Sequence, residues 1–95
     1  MSMPDQKAVL VRITGRVQGV SFRIWTKRQA ERLGLNGWVR NERDGSVSAL
    51  ISGADDAVAS MLDALWQGPR GANVRSVVPE TADPTDAPSG FDITG

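Results

Sequence analysis

The order in which hydrophobic periods succeed one another is the feature that most restricts this sequence. Residues 7–14 are rich in β-branched and apolar side chains and read as a strand. Residues 21–33 read as a helix: Ser21 stands as N-cap, Gly34 sits where a left-handed C-terminal residue is wanted, and Phe22, Trp25, Ala30 and Leu33 fall roughly on one face. Two strands at 35–42 and 46–52 flank a tight connection through Arg43, Asp44 and Gly45. Across residues 55–67, Val58, Met61, Leu62 and Leu65 repeat at helical spacing, with Asp55 as N-cap and Gly68-Pro69 as the stop. Residues 73–80 form a fourth strand, 81–90 a Pro- and Gly-interrupted loop, and 91–94 a short last strand. The order β-α-β-β-α-β predicts an α+β domain, an antiparallel sheet with both helices on one face. The right-handed crossover rule makes the first and second strands parallel, with the third inserted between them. Residues 1–6 read as a loose tail and 7–95 as one domain, since 95 residues leave no room for a second core.

This layout gathers the loop after the first strand, the start of the first helix and the end of the second strand at one sheet edge. Composition limits the chemistry available there. The chain has no Cys and no His. It therefore carries no thiolate nucleophile, no disulfide framework and no imidazole acid or base, and zinc, haem and copper sites are not expected. Eleven basic residues balance eleven acidic ones, which disfavours general nucleic-acid binding. The longest purely apolar run near the N-terminus is four residues, 8–11, too short for a membrane span or a signal peptide. The expectation is a cytoplasmic chain without metal or cofactor, with no nucleic-acid or membrane partner. No long apolar edge demands a second copy, so a monomer is expected.

The edge itself carries Gly15, Arg16, Val17, Gln18, Gly19 and Val20, leading into Ser21, Phe22 and Arg23. Glycines let successive main-chain N–H groups turn inward and form an anion-binding concavity. A helix start adds unpaired N–H groups and the positive end of the dipole. Arg23, in the first turn, offers a planar fork of donors suited to phosphate oxygens. The loop lacks the Gly-Lys-Ser/Thr ending of a Walker loop and is not a GxGxxG fingerprint. Two glycines also suffice simply to turn the chain, which would leave Arg23 a solvated surface residue. Asn41, at the end of the second strand in Gly37-Trp38-Val39-Arg40-Asn41, is equally a common turn residue. The topology gives it a second reading. Strands two places apart are separated by about 9–10 Å, so Arg23 and Asn41 can face each other across that gap. A carboxamide both donates and accepts, and so can hold a water and a phosphoryl oxygen together.

Taken together, Gly15 to Arg23 resembles the N-terminal signature of the acylphosphatases. Gly37-Trp38-Val39-Arg40-Asn41 followed by Asp44-Gly45-Ser46-Val47 resembles their second signature, and Gly68-Pro69 with Ala72, Val74 and Val77 the segment after their second helix. The resemblance runs from about Val9 to Ile93. It implies a ferredoxin-like α/β sandwich that hydrolyses carboxyl-phosphate anhydrides to carboxylate and inorganic phosphate. It further implies that Arg23 and Asn41 are the catalytic pair. Arg23 and the loop Gly15, Arg16, Val17, Gln18, Gly19 and Val20 would hold the phosphoryl group, and Asn41 would position the attacking water. Ser48 replaces an acidic residue common in the family, and Ile93-Thr94-Gly95 replaces an aromatic ending; neither touches the pair. The missing histidine suits such chemistry. A carboxylate leaves with a pKa of about 4 and needs little protonation, and phosphoryl transfer rests mainly on positioning and charge stabilisation.

Trp25, Trp38 and Trp66 are expected as core or groove residues, because aromatics chiefly supply buried area. Residues 1–43 hold nine basic and three acidic groups, and residues 44–95 two basic and eight acidic. That split makes either an electropositive mouth or, because the strands interleave, a solvated mixture. Glu31 reads as a helix-surface ion pair with Lys27, Arg28 or Arg32. Two other classes compete with the hydrolase. One is a non-catalytic phosphoanion-binding module of the same fold. The other is an RNA-binding sheet, which needs exposed aromatics that a chain with two Phe and no Tyr hardly supplies.

Overall fold

The computed structural model describes residues 6–95. The elements follow in the order β1 (Gln6–Arg16), α1 (Phe22–Arg32), β2 (Asn36–Asn41), β3 (Val47–Ala54), α2 (Asp55–Gln67), β4 (Asn73–Thr81) and β5 (Phe91–Ile93). One 3-10 turn, Pro84–Asp86, interrupts the loop before β5. Because β1 begins at Gln6, the segment expected as a tail yields its last residue to the sheet; residues 1–5 lie outside the described residues.

The five strands lie in the order β4-β1-β3-β2-β5. β3 runs antiparallel to both β1 and β2, so β1 and β2 are parallel to each other, as the crossover rule requires. β5 pairs with β2 in parallel, which makes the sheet mixed and corrects the wholly antiparallel expectation. The reason is geometric. After β4 at one edge, the chain returns across to the other edge and lays Phe91–Ile93 alongside β2 in β2's own direction. Gly37 N–H donates to Gly90 O at 2.9 Å, and Thr94 N–H to Val39 O at 2.9 Å, fixing that register.

Alternation along the strands builds one core between sheet and helices. Val9, Val11 and Ile13 of β1, Val39 of β2, and Val47, Ala49 and Ile51 of β3 all point into it. α2 contributes Val58, Met61 and Leu65, and α1 contributes Phe22 and Ala30, with Thr26 also buried. Each fully buried aliphatic or Phe side chain contributes about 1.5–3 kcal/mol relative to exposure. Trp25 and Leu33, expected on α1's inner face, are only partly buried and pack against the core from its margin. Trp25 meets Phe22 with ring centroids 5.5 Å apart. Trp38 is half-buried beneath the Arg40 guanidinium, 4.6 Å from its ring centre. Trp66 is 49% exposed, against expectation. Leu65 takes the core-facing position, and the next residue on a helix is turned about 100° away.

Of the two expected N-caps, Asp55 is displaced, whereas Ser21 keeps the cap position but makes no capping bond. Ala54, not Asp55, is the N-cap of α2, because β3 runs into the helix without a loop and its last residue takes the cap position. Asp55 and Asp56 fall in the first turn instead. Ser21 does precede α1, but with φ 62° and ψ 26° it is left-handed, and its side chain makes no capping bond. Gly34 has the left-handed φ of 71° predicted for the end of α1. No helix among the described residues is long and apolar enough to cross a membrane.

Candidate active site

The β1–α1 loop begins with a forced glycine. At Gly15 the register between β1 and β4 shifts and φ reaches 119°. A Cβ here would stand 2.2 Å from the carbonyl oxygen of Asn73, so only glycine lets the strand bend at this point. Val17 is then fully buried and anchors the loop in the core. Gly19, with φ 74°, and Ser21, in the same left-handed region, complete the turn into α1. The first helical hydrogen bond runs from Trp25 N–H to Ser21 O at 3.0 Å. Among the described residues, no main-chain N–H of residues 18–24 donates to a protein acceptor. These donors, with the unneutralised start of α1, form an anion-attracting rim. No acidic residue lies in the first turn of α1; Arg23 does.

Asn41 closes β2, opposite Val47 of β3. It lines a cavity of about 420 Å³ together with Val17, Gly19, Arg23 and Ile93. Its side-chain carbonyl Oδ1 is buried and accepts no hydrogen bond. A buried polar atom without a partner normally implies a missing donor. The Arg23 guanidinium, half-buried at the same cavity, donates from Nη1 to Gly95 O at 3.3 Å.

Of the residues singled out in the sequence, Val17, Gly19, Arg23 and Asn41 come together in this cavity. Gly15 and Arg16 do not: they line a separate depression with Arg12, Asp44 and Arg75. Val20 faces a groove on the other side of Ser21. Gln18 turns away from the cavity altogether. Its Nε2 donates to Glu42 O at 2.8 Å and to Ser46 O at 2.9 Å, clasping the loop to the hairpin that follows Asn41. That hairpin is braced by Asp44, whose Oδ1 accepts from Ser46 N–H at 2.9 Å and Ser46 Oγ at 2.6 Å. The two Ser46 bonds, chiefly the hydroxyl one, hold the Asp44 carboxyl below its ordinary pKa, with a smaller contribution from the paired Arg12. Ser21, Phe22, Ile24 and Ile93 also line the cavity. Ile93 carried no local signal, since only the return of the chain to the β2 edge brings it there. Among the described residues no three His, Cys, Asp or Glu side chains cluster as metal ligands would.

Comparison with known proteins agrees with this architecture. The sequence model of the acylphosphatase family matches residues 9–93. A protein of Rhizobium meliloti (strain 1021) named acylphosphatase is 64% identical over 90 residues, covering 95% of each chain. The structure of an acylphosphatase from Coxiella burnetii superposes with a TM-score of 0.87 at 33% identity, covering 95% of this chain and 94% of that one. The crystal structure of acylphosphatase from Bacillus subtilis gives 0.90 at 28% identity, covering 96% and 100%.

Proposed function

The chain belongs to the acylphosphatase family and hydrolyses acyl phosphates to carboxylate and phosphate, and from that premise we propose how its own residues carry the reaction. The phosphoryl group sits against the free N–H groups of residues 18–24, with the Arg23 guanidinium neutralising its charge. Binding there draws Arg23 away from Gly95 O, a weak and exposed contact. The Asn41 carboxamide, which lines the same cavity, holds the attacking water and fixes its position behind phosphorus. One water O–H proton passes to a phosphoryl oxygen as the new P–O bond forms. The P–O bond to the acyl group breaks, and its electron pair leaves on the carboxylate. Because that leaving group has a pKa of about 4, no protein acid is needed. An arginine and a ring of amides do the charge stabilisation that Mg²⁺ does in other phosphoryl-transfer sites, so the reaction is metal-independent in this reading.

Residues 7–95 act in this reading as one domain, and as a monomer. The same reading takes the enzyme to act in the cytoplasm. The observation that carries the assignment of roles is that Arg23 and Asn41, from different elements, line one cavity at the start of α1. The test is loss of benzoyl phosphate absorbance for the wild type beside Arg23→Ala and Asn41→Ala. Each variant is expected to lose about 10²–10³-fold in kcat/KM, by analogy with removal of an oxyanion donor. Inhibition by inorganic phosphate should weaken in Arg23→Ala and survive in Asn41→Ala, and EDTA should change nothing. Equal loss of phosphate affinity in both variants would refute the division of roles.

A further inference from the structure

The cavity does not end at Arg23. Ser21 and Ile24 line it and also line a neighbouring groove of about 410 Å³, bounded by Val20, Trp25, Arg28 and Arg70. The two depressions flank the start of α1 on opposite sides. Asn41 and Ile93 belong to the β2–β5 side, whereas Val20 and Arg70 belong to the loops that precede α1 and β4. Ile24 is 49% exposed at their junction, an isolated apolar side chain on a helix whose other outward residues are polar or basic. Arg28 stands one turn further along α1, about 6 Å by helical rise. Among the described residues neither Arg28 nor Arg70 has an ion-pair partner, whereas Lys27 on the same helix is held by Glu31 at 3.5 Å and by Phe91 O at 2.6 Å.

Resting on the reading above, in which water sits at Asn41, we propose that this groove receives the acyl group, and that it selects acyl phosphates carrying a second negative charge beyond an apolar stem. In-line displacement puts nucleophile and leaving group on opposite sides of phosphorus. With the water on the β2–β5 side, the departing carboxylate faces Ser21 and Ile24 and the groove beyond them. Ile24 and Trp25 offer apolar contact to the first atoms of the acyl chain. Arg28 and Arg70 meet an anion about one helical turn further out.

Benzoyl phosphate and 4-carboxybenzoyl phosphate test this directly. They share the reacting anhydride and a rigid apolar ring, and the added carboxylate projects about one helical turn from the reaction centre. At low salt the wild-type ratio of kcat/KM, carboxylated over plain substrate, should be about three- to tenfold, the range for two exposed ion pairs. The ratio should fall to about one in Arg28→Ala/Arg70→Ala, and below one in Arg70→Glu. It should also shrink in 0.5 M salt, about as far as a Debye length below 10 Å screens such pairs. A wild-type ratio of one, or a preference that survives the double substitution, would overturn the groove assignment while benzoyl phosphate turnover still upheld the hydrolytic roles. Loss of turnover of both substrates in folded wild-type protein would instead overturn the two together.

Discussion

The two helices begin in opposite ways. α2 leaves β3 without a loop, with regular backbone at Ala54 and two aspartates in its first turn. Those carboxylates face the positive end of the helix dipole, an arrangement that stabilises by about 0.3–1 kcal/mol per charge. α1 starts at a left-handed serine that caps nothing, has no acid in its first turn, and puts Arg23 there. A non-glycine residue in that region carries about 1–2 kcal/mol of strain. One helix start is therefore finished from within. The other is left electrostatically open, and the cavity lined by Asn41 lies beside it. The difference singles out the start of α1 as the end whose open donors can attract an anion.

The largest effect expected from disturbing the open end, short of removing Arg23 or Asn41, is at Gln18. α1's start depends on a clasp to the β2–β3 hairpin, and α2's start has none. Gln18→Ala should lower kcat on the order of 10–100-fold, the scale of a misplaced reacting group. It should leave inhibition by phosphate much less altered, since the main-chain donors remain. Steady-state kinetics with phosphate as inhibitor makes the separation, and an equal loss in both would show that the clasp shapes the phosphate rim itself.

Giving α1 what α2 already has is the next test. Ser21→Asp should raise the free energy of chemical unfolding by about 0.3–1 kcal/mol, while weakening phosphate inhibition and raising KM through an internal competing carboxylate. Asp56→Asn in α2 should lower stability by a similar amount and leave KM unchanged. If Ser21→Asp bound phosphate as tightly as the wild type, the helix start would not be part of the anion site.

The smallest effect is expected at Asp44, on the hairpin that only the α1 end uses. Its folded pKa is lowered from 3.8, chiefly by hydrogen bonds from Ser46. A depressed carboxylate adds stability above its unfolded pKa and loses it as pH falls through the folded value. Asp44→Asn should therefore melt below the wild type at pH 7, and the gap should close as pH drops below 3.8. Thermal melts across that range would show whether it does.

Local signals reached far into this molecule but stopped at identifiable points. The apolar spacing of Val58, Met61 and Leu65 placed α2 because a helix face is a local pattern. Parallel β1 and β2 followed from handedness alone. The direction of β5 did not, because three residues at an edge carry no period and their partner is set by the chain's return to β2. Ser21 was legible as a residue suited to a cap, but its use depends on a backbone angle that the Gly15 bend and buried Val17 impose. At the site, Arg23 and Asn41 could be paired from topology. Gln18 was read as part of the phosphate rim because its destination, the carbonyls of Glu42 and Ser46, lies 24 and 28 positions away.

The parallel pairing of β5 with β2 has a dynamic consequence. Three register pairs, Gly37–Phe91, Trp38–Asp92 and Val39–Ile93, join this strand to the sheet, and it lies at an edge. Short edge elements open locally long before a domain melts. Amide exchange should therefore be faster at Asp92 and Ile93 than in the β1–β3 ladder. Since Ile93 walls the cavity lined by Arg23 and Asn41, opening of this strand would also remove part of that wall.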